Sequence, residues 1–362
     1  MKIMQVNNTM NIGGIESFLM NIYRNINLQK YEFVFLTYND EKYDFEDEIL
    51  SLGGKILRIS NPNKVSIFRH IYQLYSIMKK EKPDVVHCHT HFNCAYVMFA
   101  AACAGIKIRI THSHSTYAKL EKRLIKRIKW FFSRKIINFF STNKLACSTE
   151  AGEALYNDHK FIVIPNGIDL EKYSFSESKR KELRKKYKID DNCIVIGHVG
   201  RLDIPKNHMF LLEIFKCFLM KNENTKLILV GSGPLENKIK NYIEKAKIND
   251  KVIMMGNRND VYDIYNMFDI FIFPSLYEGL PVTLVEAQAN GLQIFASDNI
   301  SHEIKISENL NFYNLKNTAE QWANNIYYNY KERIESNVVI KNSIYSINNT
   351  INELVKIYGG DN

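Results

Sequence analysis

Short apolar runs alternate along most of the chain with longer stretches in which apolar residues recur every three or four positions. Apolar runs of four to eight residues are typical of buried strands, and a period near 3.6 is typical of amphipathic helices. Strands that alternate with helices favour a parallel sheet with crossover connections. The pattern therefore predicts an α/β protein.

The strand candidates fall into two series, separated by a charged and polar stretch at residues 168–192 that is typical of a linker with a short helix. We predict two Rossmann-like domains, 1–170 and 171–340, and a terminal helix in 341–362 that packs back on the first domain. The first series of strands is 2–6, 32–38, 55–59, 84–89, 106–113, 144–148 and 161–167. The second series is 193–200, 226–233, 251–256, 270–275 and 293–297.

The composition fits a soluble, intracellular protein. The chain has 362 residues, 46% of them hydrophobic and 24% charged, enough for two cores. Its longest apolar run, residues 95–106, falls well short of the roughly 20 residues that span a bilayer. The amino terminus lacks a signal-peptide pattern, and the six cysteines form no C-x-x-C pair. We expect a cytoplasmic protein with reduced cysteines.

The net charge of +9 is concentrated in residues 119–135, where eight Lys or Arg residues stand against one acid. Apolar and aromatic residues recur there at helical spacing, as in a helix that lies on an anionic membrane. A core-packing helix with a solvated charged face is the alternative. No groove-reading motif is recognisable, so we expect no nucleic acid partner. The membrane-facing candidates are Lys122, Arg123, Lys126, Arg127, Lys129, Trp130, Phe131 and Phe132.

The loop after the first strand carries Gly13 and Gly14 immediately before a helical pattern. Ligands of open α/β sheets bind at the carboxyl ends of the strands, where backbone amides at a helix start can meet an anion. A tight strand-to-helix turn would explain the glycines equally well. Neither G-x-G-x-x-G nor the P-loop pattern occurs, which weakens dinucleotide and P-loop interpretations.

The loops of the second half add cations and more glycines. Arg201 and Lys206 lie five residues apart after a strand, a placement suited to a diphosphate, although isolated cations are usually surface charges. A Gly-Leu-Pro turn then leads into a helix whose first amides are free. The other binding candidates in these loops are Gly231, Gly233, Gly256, Asn257, Arg258, Gly279, Leu280, Pro281 and Val282.

Two acids, Glu278 and Glu286, flank this helix start. A diphosphate held by cations needs no further negative charge, whereas a carboxylate can accept hydrogen bonds from hydroxyl groups. We expect Glu286, on the inner helix face, to bind a ribose and Glu278, in the loop, to bind a sugar. The alternative is that both are ordinary surface residues.

The glycine pair together with "VGRLDIPKNH", "LVGSGPLE", "MMGNRNDV" and "FPSLYEGLPVTLVEAQANG" closely resembles the retaining glycosyltransferases of family 4. The "KNH" sequence, with "RITHSHS" in the first half, is similar to the bacterial capsule and exopolysaccharide branch. The resemblance covers nearly the whole chain. It implies the GT-B fold, in which two Rossmann-like domains face each other across a cleft and the second mainly holds the nucleotide-sugar.

The resemblance also implies roles for individual residues. Arg201 and Lys206 would bind the diphosphate and stabilise its departing charge, while Gly14 would approach it from the first domain. Glu286 would hold the ribose, and Glu278 would contact the donor sugar. The family has a histidine near the transferred sugar, and the spacing does not separate the two candidates for it, His112 and His114.

The sequence "HCHTH" offers His87, His89 and His91, which would share one face of a strand and so suggest zinc. We favour polar residues that line an acceptor site, and expect no metal or cofactor. The absence of any D-x-D motif agrees with metal-independent GT-B chemistry.

The predicted function is retaining transfer of a hexosyl or N-acetylhexosaminyl group from a nucleotide diphosphate sugar, UDP-linked by resemblance, to a lipid-linked saccharide. The setting would be capsule, exopolysaccharide or other cell-surface glycan synthesis at the inner face of the membrane. One alternative is a GT-B nucleotide-sugar epimerase, which would not need the basic helix. Another is a non-catalytic membrane-associated scaffold, against which both acids and both cations argue.

Overall fold

The computed structural model describes residues 1–38, 41–115, 124–157, 159–278, 280–331, 333 and 343–360. The chain divides into two compact units. Unit 1 comprises Met1–Ile168 and Ile347–Asn362, and unit 2 comprises Asp169–Ser346.

Unit 1 is built on a parallel sheet that has seven strands within the described residues, in the order β3-β2-β1-β4-β5-β6-β7. The central strands β1 and β4 are buried along almost their whole length, as expected for strands covered by helices on both faces. The strands are β1 (Lys2–Val6), β2 (Glu32–Thr37), β3 (Lys55–Arg58), β4 (Val85–Cys88), β5 (Ile108–Ser113), β6 (Asn143–Ala146) and β7 (Ile162–Val163).

Two helices of unit 1, α3 and α6, begin after a serine that caps the helix start. The Ser66 hydroxyl accepts the backbone N–H of Arg69, and the Ser148 hydroxyl accepts that of Ala151, so each satisfies a free amide of a first turn. The helices are α1 (Gly14–Asn25), α2 (Glu46–Ser51), α3 (Ile67–Glu81), α4 (Cys94–Cys103), α5 (Leu124–Phe140) and α6 (Thr149–Tyr156).

Unit 2 contains a parallel sheet with six strands among its described residues, in the order β10-β9-β8-β11-β12-β13. Its helices are α7 (Glu177–Lys186), α8 (His208–Leu219), α9 (Glu236–Lys245), α10 (Val261–Ile264), α11 (Val282–Ala289) and α12 (Ala319–Asn329). Its strands are β8 (Ile194–Val199), β9 (Thr225–Val230), β10 (Val252–Met254), β11 (Ile270–Phe273), β12 (Gln293–Ser297) and β13 (Leu310–Tyr313).

The last helix of the chain, α13 (Ile347–Tyr358), returns to unit 1. Its buried residues Leu354 and Tyr358 join an apolar cluster with Phe18 and Ile22 of α1. Each fully buried apolar side chain of this size contributes roughly 1.5–3 kcal/mol relative to an exposed one. The helix is therefore an integral part of the unit 1 core.

The two sheets are wound in the same way. In each, the first three strands run outward in one direction and the later strands in the other, so the order reverses between β1 and β4 and again between β8 and β11. Ligands of such sheets bind at this reversal, outside the carboxyl ends of the strands.

The predicted strands are observed with their ends shifted by a few residues, except for the stretch at 161–167. There the ladder is limited to β7, and the last ladder-like bond joins the Ile164 amide to the Ala146 carbonyl. Pro165 follows and has no N–H to donate, which ends the pairing. The sequence also missed β13, because its "LNFY" is too short and too polar to stand out as an apolar run.

Of the helices that the structure describes, none combines the length and the apolar character needed to cross a membrane.

Candidate functional site

The loops after β8, β9 and β10 are connected at the carboxyl edge of the unit 2 sheet. The Leu202 amide donates to the Ser232 carbonyl at 3.0 Å, and the Gly231 amide donates to the Gly256 carbonyl at 2.8 Å. These backbone bonds fix the three loops against one another at the place where a ligand is expected.

Two of the predicted binding glycines are required by this loop packing. Gly231 has a φ of 127°, and a Cβ there would collide with the Gly200 carbonyl. A Cβ at Gly233 would lie 2.5 Å from the carbonyl oxygen of Leu202. Gly256 has a φ of 65° and faces open space. The backbone alone explains these glycines, so their contact with a ligand stays a prediction.

The loop after β8 is also tied to the loop after β11. The Leu276 amide donates to the Pro205 carbonyl at 2.8 Å, and the Asn207 side chain donates to the Pro274 carbonyl at 3.2 Å. Residues 205 and 276 are far apart in the sequence but lie at neighbouring strand ends. This connection brings together the loop that carries Lys206 and the loop that carries Glu278.

Lys206 and Glu278, predicted separately, form an ion pair. The Lys206 Nζ lies 2.7 Å from Glu278 Oε1 and 4.5 Å from the centre of the Phe273 ring. The two side chains are 16% and 14% exposed, so the pair is well shielded from water. Because an ammonium group has three N–H donors, the pair leaves Lys206 able to bind an anion as well.

Arg201 lies apart from this pair. Its side chain is 70% exposed, and its Nε lies 3.8 Å from Asp203 Oδ2. Among the described residues, Arg201 makes no recorded contact with Lys206 or Glu278. Its role at a diphosphate stays a prediction.

Glu286 is held by two tyrosines that the sequence interpretation did not identify. Its Oε1 accepts from the Tyr173 hydroxyl at 2.9 Å and its Oε2 accepts from the Tyr265 hydroxyl at 2.8 Å. Burial raises the pKa of Glu286, while these hydrogen bonds and the Lys206 charge act in the opposite direction. A carboxylate has about four lone-pair sites, so further hydroxyl groups can still be accepted.

The start of α11 has polar groups without protein partners. Its N-cap, Pro281, provides no side-chain hydrogen bond, and within the described residues the buried hydroxyls of Ser275 and Thr283 have no hydrogen-bond partner. Buried polar atoms are nearly always paired in folded proteins, so these two hydroxyls are candidates for binding a ligand. Leu280 is buried beside them, whereas Gly279 lies outside the described residues.

Asn257 and Arg258, also predicted to bind substrate, make local polar contacts. Asn257 Oδ1 accepts from the Ser232 hydroxyl at 2.9 Å, and Arg258 Nε donates to Asp260 Oδ1 at 2.8 Å. Both contacts order the loops after β9 and β10. Binding of substrate by either residue stays a prediction.

A buried histidine pair lies behind Lys206. His198 Nδ1 is 2.8 Å from the Ile272 carbonyl, and the His208 ring packs edge-on against it at 4.8 Å between ring centres. Burial lowers the pKa of both, that of His208 to about 4, and the Lys206 charge adds to the effect. The pair is neutral near pH 7. Only the "KNH" motif, which includes His208, could have indicated it from sequence.

In unit 1, the first turn of α1 separates the two predicted glycines. A Cβ at Gly13 would lie 2.5 Å from the Glu16 carboxylate, whereas one at Gly14 would meet open space. That carboxylate accepts from Asn7 and Thr9, and burial raises its pKa. Gly14 is therefore the glycine whose backbone is open to an approaching group.

The ends of β4 and β5 place four histidines side by side. His112 is fully buried on β5, while His114 follows that strand and is half-buried. Ring nitrogens of His87, His89 and His112 all lie within 4.8 Å of one another, a spacing that could hold a metal ion. Burial lowers the pKa of all four, that of His114 to about 3.

The expectation that His91 shares a face with His87 and His89 is wrong. β4 ends at Cys88, and His91 begins a 3₁₀ turn with a φ of 55°. Its ring packs 6.2 Å from that of Trp130. The neighbours of His87 and His89 come instead from β5, which the local sequence pattern could not indicate.

Helix α5 has two apolar faces. The inner face packs on unit 1 through buried Ser133 and Ile137 and through Trp130, which stacks on Phe92 at 4.6 Å. Trp130, one of the predicted membrane-facing residues, is partly buried and contributes its ring to this packing, so its contact with a membrane stays a prediction. Lys122 and Arg123 lie outside the described residues. The exposed apolar face consists of Leu124, Ile125, Ile128, Phe131, Phe132 and Phe139.

Comparison with solved structures identifies the fold. The crystal structure of Anabaena HepE in complex with UDP and glucose matches with a TM-score of 0.83 at 17% identity, over 99% of both chains. The protein thus has the GT-B fold, with two Rossmann-like domains, as the sequence predicts.

Sequence comparison identifies the family. Residues 179–345 match the model of the group 1 glycosyl transferases, and residues 12–172 match that of glycosyltransferase family 4. EpsF of Bacillus subtilis (strain 168), named as a glycosyltransferase, is 33% identical over 309 residues, 84% of this chain and 80% of that protein. The chain therefore belongs to the family of glycosyltransferases that these two models and EpsF represent, which confirms the predicted resemblance.

A second relative has a more specific name. The UDP-Gal:alpha-D-GlcNAc-diphosphoundecaprenol alpha-1,3-galactosyltransferase of Escherichia coli is 32% identical over 250 residues, which are 66% of this chain and 64% of that protein.

Proposed function

We propose that the protein transfers a sugar from a UDP-linked donor to a lipid-linked saccharide, with retention of the anomeric configuration. The observation that carries the proposal is the shielded Lys206–Glu278 pair beside the start of α11. One cation, one hydroxyl acceptor and a helix start with unpaired polar groups match the diphosphate and sugar of such a donor.

The donor would be held in three parts. Lys206 and the first amides of α11 would bind the diphosphate, and Glu278 would accept from a sugar hydroxyl. Glu286 would accept from the ribose, since its two tyrosine bonds orient its carboxylate. Arg201 is exposed enough to reach the diphosphate from solvent.

In the reaction, the bond from the anomeric carbon to the diphosphate oxygen breaks, and its electron pair leaves with the diphosphate. The acceptor hydroxyl oxygen forms the new bond on the same face of the sugar, and its proton passes to the departing phosphate oxygen. Lys206 and Arg201 would stabilise the charge that develops there, the electrostatic role that a divalent cation fills in other transferases. Turnover is therefore expected to continue in the presence of a chelator.

The name of the Escherichia coli relative supports a diphosphoundecaprenol-linked acceptor. The resemblance to the capsule and exopolysaccharide branch supports that setting. Such an acceptor lies at the membrane surface, so the enzyme must reach the inner face of the membrane. The exposed apolar face of α5 is suited to this contact, with Phe131 and Phe132 at 50% and 59% exposure and Arg127 and Lys129 exposed nearby. An apolar face beside cations favours an anionic lipid surface.

The test of the reaction is a panel of nucleotide-sugars, screened for saturable binding and then incubated with a synthetic diphosphoundecaprenol-linked saccharide. We expect one UDP-sugar to bind, to hydrolyse slowly alone, and to release UDP rapidly when the acceptor is added. The anomeric configuration of the product is read by NMR. Interconversion of UDP-sugars without UDP release would identify an epimerase, and no binding of any nucleotide-sugar would favour the scaffold.

The membrane contact is tested by cosedimentation with neutral and anionic vesicles at low and high salt. Binding should require anionic lipid and weaken with salt, because exposed charges are screened beyond about 10 Å at 0.1 M. Each cation near the surface contributes about 1 kcal/mol. One variant removes the aromatic pair, Phe131→Gln with Phe132→Gln. The other changes the five cations Lys122, Arg123, Lys126, Arg127 and Lys129 to Gln.

A matched control is Phe68→Gln on α3, which removes an aromatic ring that is 87% exposed in the same unit. Only the α5 variants should lose vesicle binding. Equal binding by all proteins, or no preference for anionic vesicles, would assign the outer face of α5 to another contact and reopen the question of a water-soluble acceptor.

A further inference from the structure

The four histidines at the ends of β4 and β5, His87, His89, His112 and His114, belong to one buried hydrogen-bonded chain. The chain also includes a strand glutamine and a tyrosine of the last helix. On one arm, Gln5 Oε1 is 2.9 Å from His89 Nε2, and His89 Nδ1 is 2.9 Å from His114 Nε2. The other arm starts where Gln5 Nε2 donates to the Tyr358 hydroxyl at 3.3 Å. Tyr358, in turn, leads to the remaining two histidines.

On that second arm, the Tyr358 hydroxyl is 2.9 Å from His87 Nδ1, and His87 Nε2 is 3.3 Å from His112 Nδ1. Gln5 joins the two arms and fixes the direction of both, since its amide oxygen, 2.9 Å from His89 Nε2, can only accept, and its amide nitrogen, 3.3 Å from the Tyr358 hydroxyl, can only donate.

The Gln5 amide sets the direction of every other bond, because each neutral imidazole has one donor and one acceptor nitrogen. His89 Nε2 donates to the Gln5 oxygen, so His89 Nδ1 accepts from His114 Nε2. The Tyr358 hydroxyl accepts from the Gln5 nitrogen and donates to His87 Nδ1, so His87 Nε2 donates to His112 Nδ1. His112 therefore carries its hydrogen on Nε2.

We propose that Gln5, His87, His89 and Tyr358 are positioning residues that hold His114 as a neutral imidazole with its hydrogen on Nε2 and its Nδ1 lone pair directed outward. His114 Nδ1 is a buried nitrogen without a partner of good geometry among the described residues, although the Asn166 side chain lies nearby. This nitrogen can accept a hydrogen bond from a hydroxyl or an amide but cannot bind a carbonyl. Any ligand group that hydrogen-bonds to His114 Nδ1 must therefore be a hydrogen-bond donor.

The role of the chain extends the proposed function in one respect: if His114 contacts the transferred sugar, it contacts a hydroxyl. The fixed direction of the hydrogen bonds does not depend on the proposed reaction, because it follows from contacts inside unit 1. It also gives the last helix a task beyond packing, since Tyr358 connects Gln5 to His87.

A metal ion bound by His87, His89 and His112 is the competing explanation. It would require their inner nitrogens to turn from their present partners, since His87 Nε2 and His112 Nδ1 lie 3.3 Å apart and already suit one hydrogen bond. The hydrogen-bonded chain uses every inner nitrogen without such a change. The contacts therefore favour the chain.

The test is a long-range ¹H–¹⁵N correlation spectrum of protein labelled with ¹⁵N-histidine, with signals assigned by single histidine substitutions. We expect His87, His89, His112 and His114 each to show one neutral tautomer with hydrogen on Nε2, unchanged from pH 8 to pH 5.5. Tyr358→Phe removes the donor to His87, so the His87 and His112 signals should move toward a mixture of tautomers.

The control is Tyr156→Phe, which removes a buried hydroxyl of the same unit that lies outside the chain and donates to Leu145 at 2.7 Å. Its loss should reduce stability without changing the histidine signals. Identical histidine spectra for Tyr358→Phe and the wild type would overturn the proposal, as would hydrogen on Nδ1 of His114. A stoichiometric transition metal in the purified protein, with ¹⁵N shifts typical of bound imidazole, would assign the cluster to a metal site instead.

Discussion

The two units share a strand order but differ in the chemistry at their strand ends. In unit 1, β4 and β5 end in neutral histidines that hydrogen-bond to one another. In unit 2, the loops after β8 and β11 bring together a lysine and a glutamate in a shielded ion pair. Because both sheets reverse at the same place, the fold itself does not determine what is bound there.

The difference indicates that the two units are suited to binding different chemical groups. A charged site with free donors suits a diphosphate, whose charge needs compensation, whereas a neutral site suits hydroxyl groups. Removing charge from unit 2 should therefore abolish activity, while changes in unit 1 should alter orientation and stability. The following predictions test this contrast, from the largest expected effect to the smallest.

Lys206→Ala should lower turnover at least about a hundredfold, the scale of losing one electrostatic catalytic group. The matched control is Lys240→Ala, which removes an exposed lysine that also pairs with a glutamate in unit 2. Arg201→Ala tests the second predicted cation, for which we expect a loss of similar scale. Near-normal kcat in both Lys206→Ala and Arg201→Ala would remove these cations from the mechanism.

Acid should weaken unit 1 more than unit 2. A buried histidine with a lowered pKa stays neutral when folded but takes up a proton when unfolded, so its contribution to stability falls as pH drops below about 6.5. In unit 2, two histidines have a lowered pKa, His198 and His208. In unit 1, six do: His70, His87, His89, His91, His112 and His114.

Each such histidine costs about 1 kcal/mol between pH 7 and pH 5.5, and unit 1 has four more of them, so it should lose about 4 kcal/mol more than unit 2. The chain has two tryptophans, Trp130 in unit 1 and Trp322 in unit 2. Urea unfolding followed by fluorescence of Trp322→Phe reports unit 1, and that of Trp130→Phe reports unit 2. An equal loss of unfolding free energy in both units would contradict the contrast.

Glu286→Gln should raise the donor KM about tenfold and lower kcat less. Hydroxyl contacts of a ribose are similar in the ground and transition states, so their loss appears mainly as weaker binding. The reverse pattern, with a large fall in kcat at an unchanged KM, would mean that Glu286 acts on the reacting atoms.

Tyr265→Phe should give a smaller change of the same kind, a rise in KM of about threefold, because one of the two bonds that orient the Glu286 carboxylate remains. Tyr313→Phe, which changes a half-buried tyrosine elsewhere in unit 2, is the control and should leave KM unchanged. An unchanged KM in Tyr265→Phe would mean that Tyr173 alone orients the carboxylate.

The fold and the charged part of the site could be predicted from sequence because their signals are local. Apolar runs mark the strands, and a lysine or glutamate in a loop after a strand must lie at the carboxyl edge of a parallel sheet. That argument placed Lys206 and Glu278 at one edge, although it could not predict their ion pair.

The missed features depend on contacts between distant segments. Tyr173 and Tyr265 reach Glu286 from 113 and 21 residues away, and Tyr358 reaches His87 across 271 residues. No periodic pattern marks a hydroxyl as the partner of a particular acid or histidine. The same limit applies to the core packing of Trp130, which the sequence did not predict. Helical spacing shows that α5 is amphipathic, but it does not show which of its two apolar faces packs on the core.

The most direct test of the central assignment compares the calorimetric Kd values of UDP and of the cognate UDP-sugar. We expect Lys206→Ala to weaken both ligands, because both contain the diphosphate. Glu278→Gln should leave the Kd of UDP within about threefold of the wild-type value while weakening the UDP-sugar about tenfold, since Glu278 would contact only the sugar. Equal weakening of both ligands by Glu278→Gln, or no effect of Lys206→Ala on either, would contradict the account.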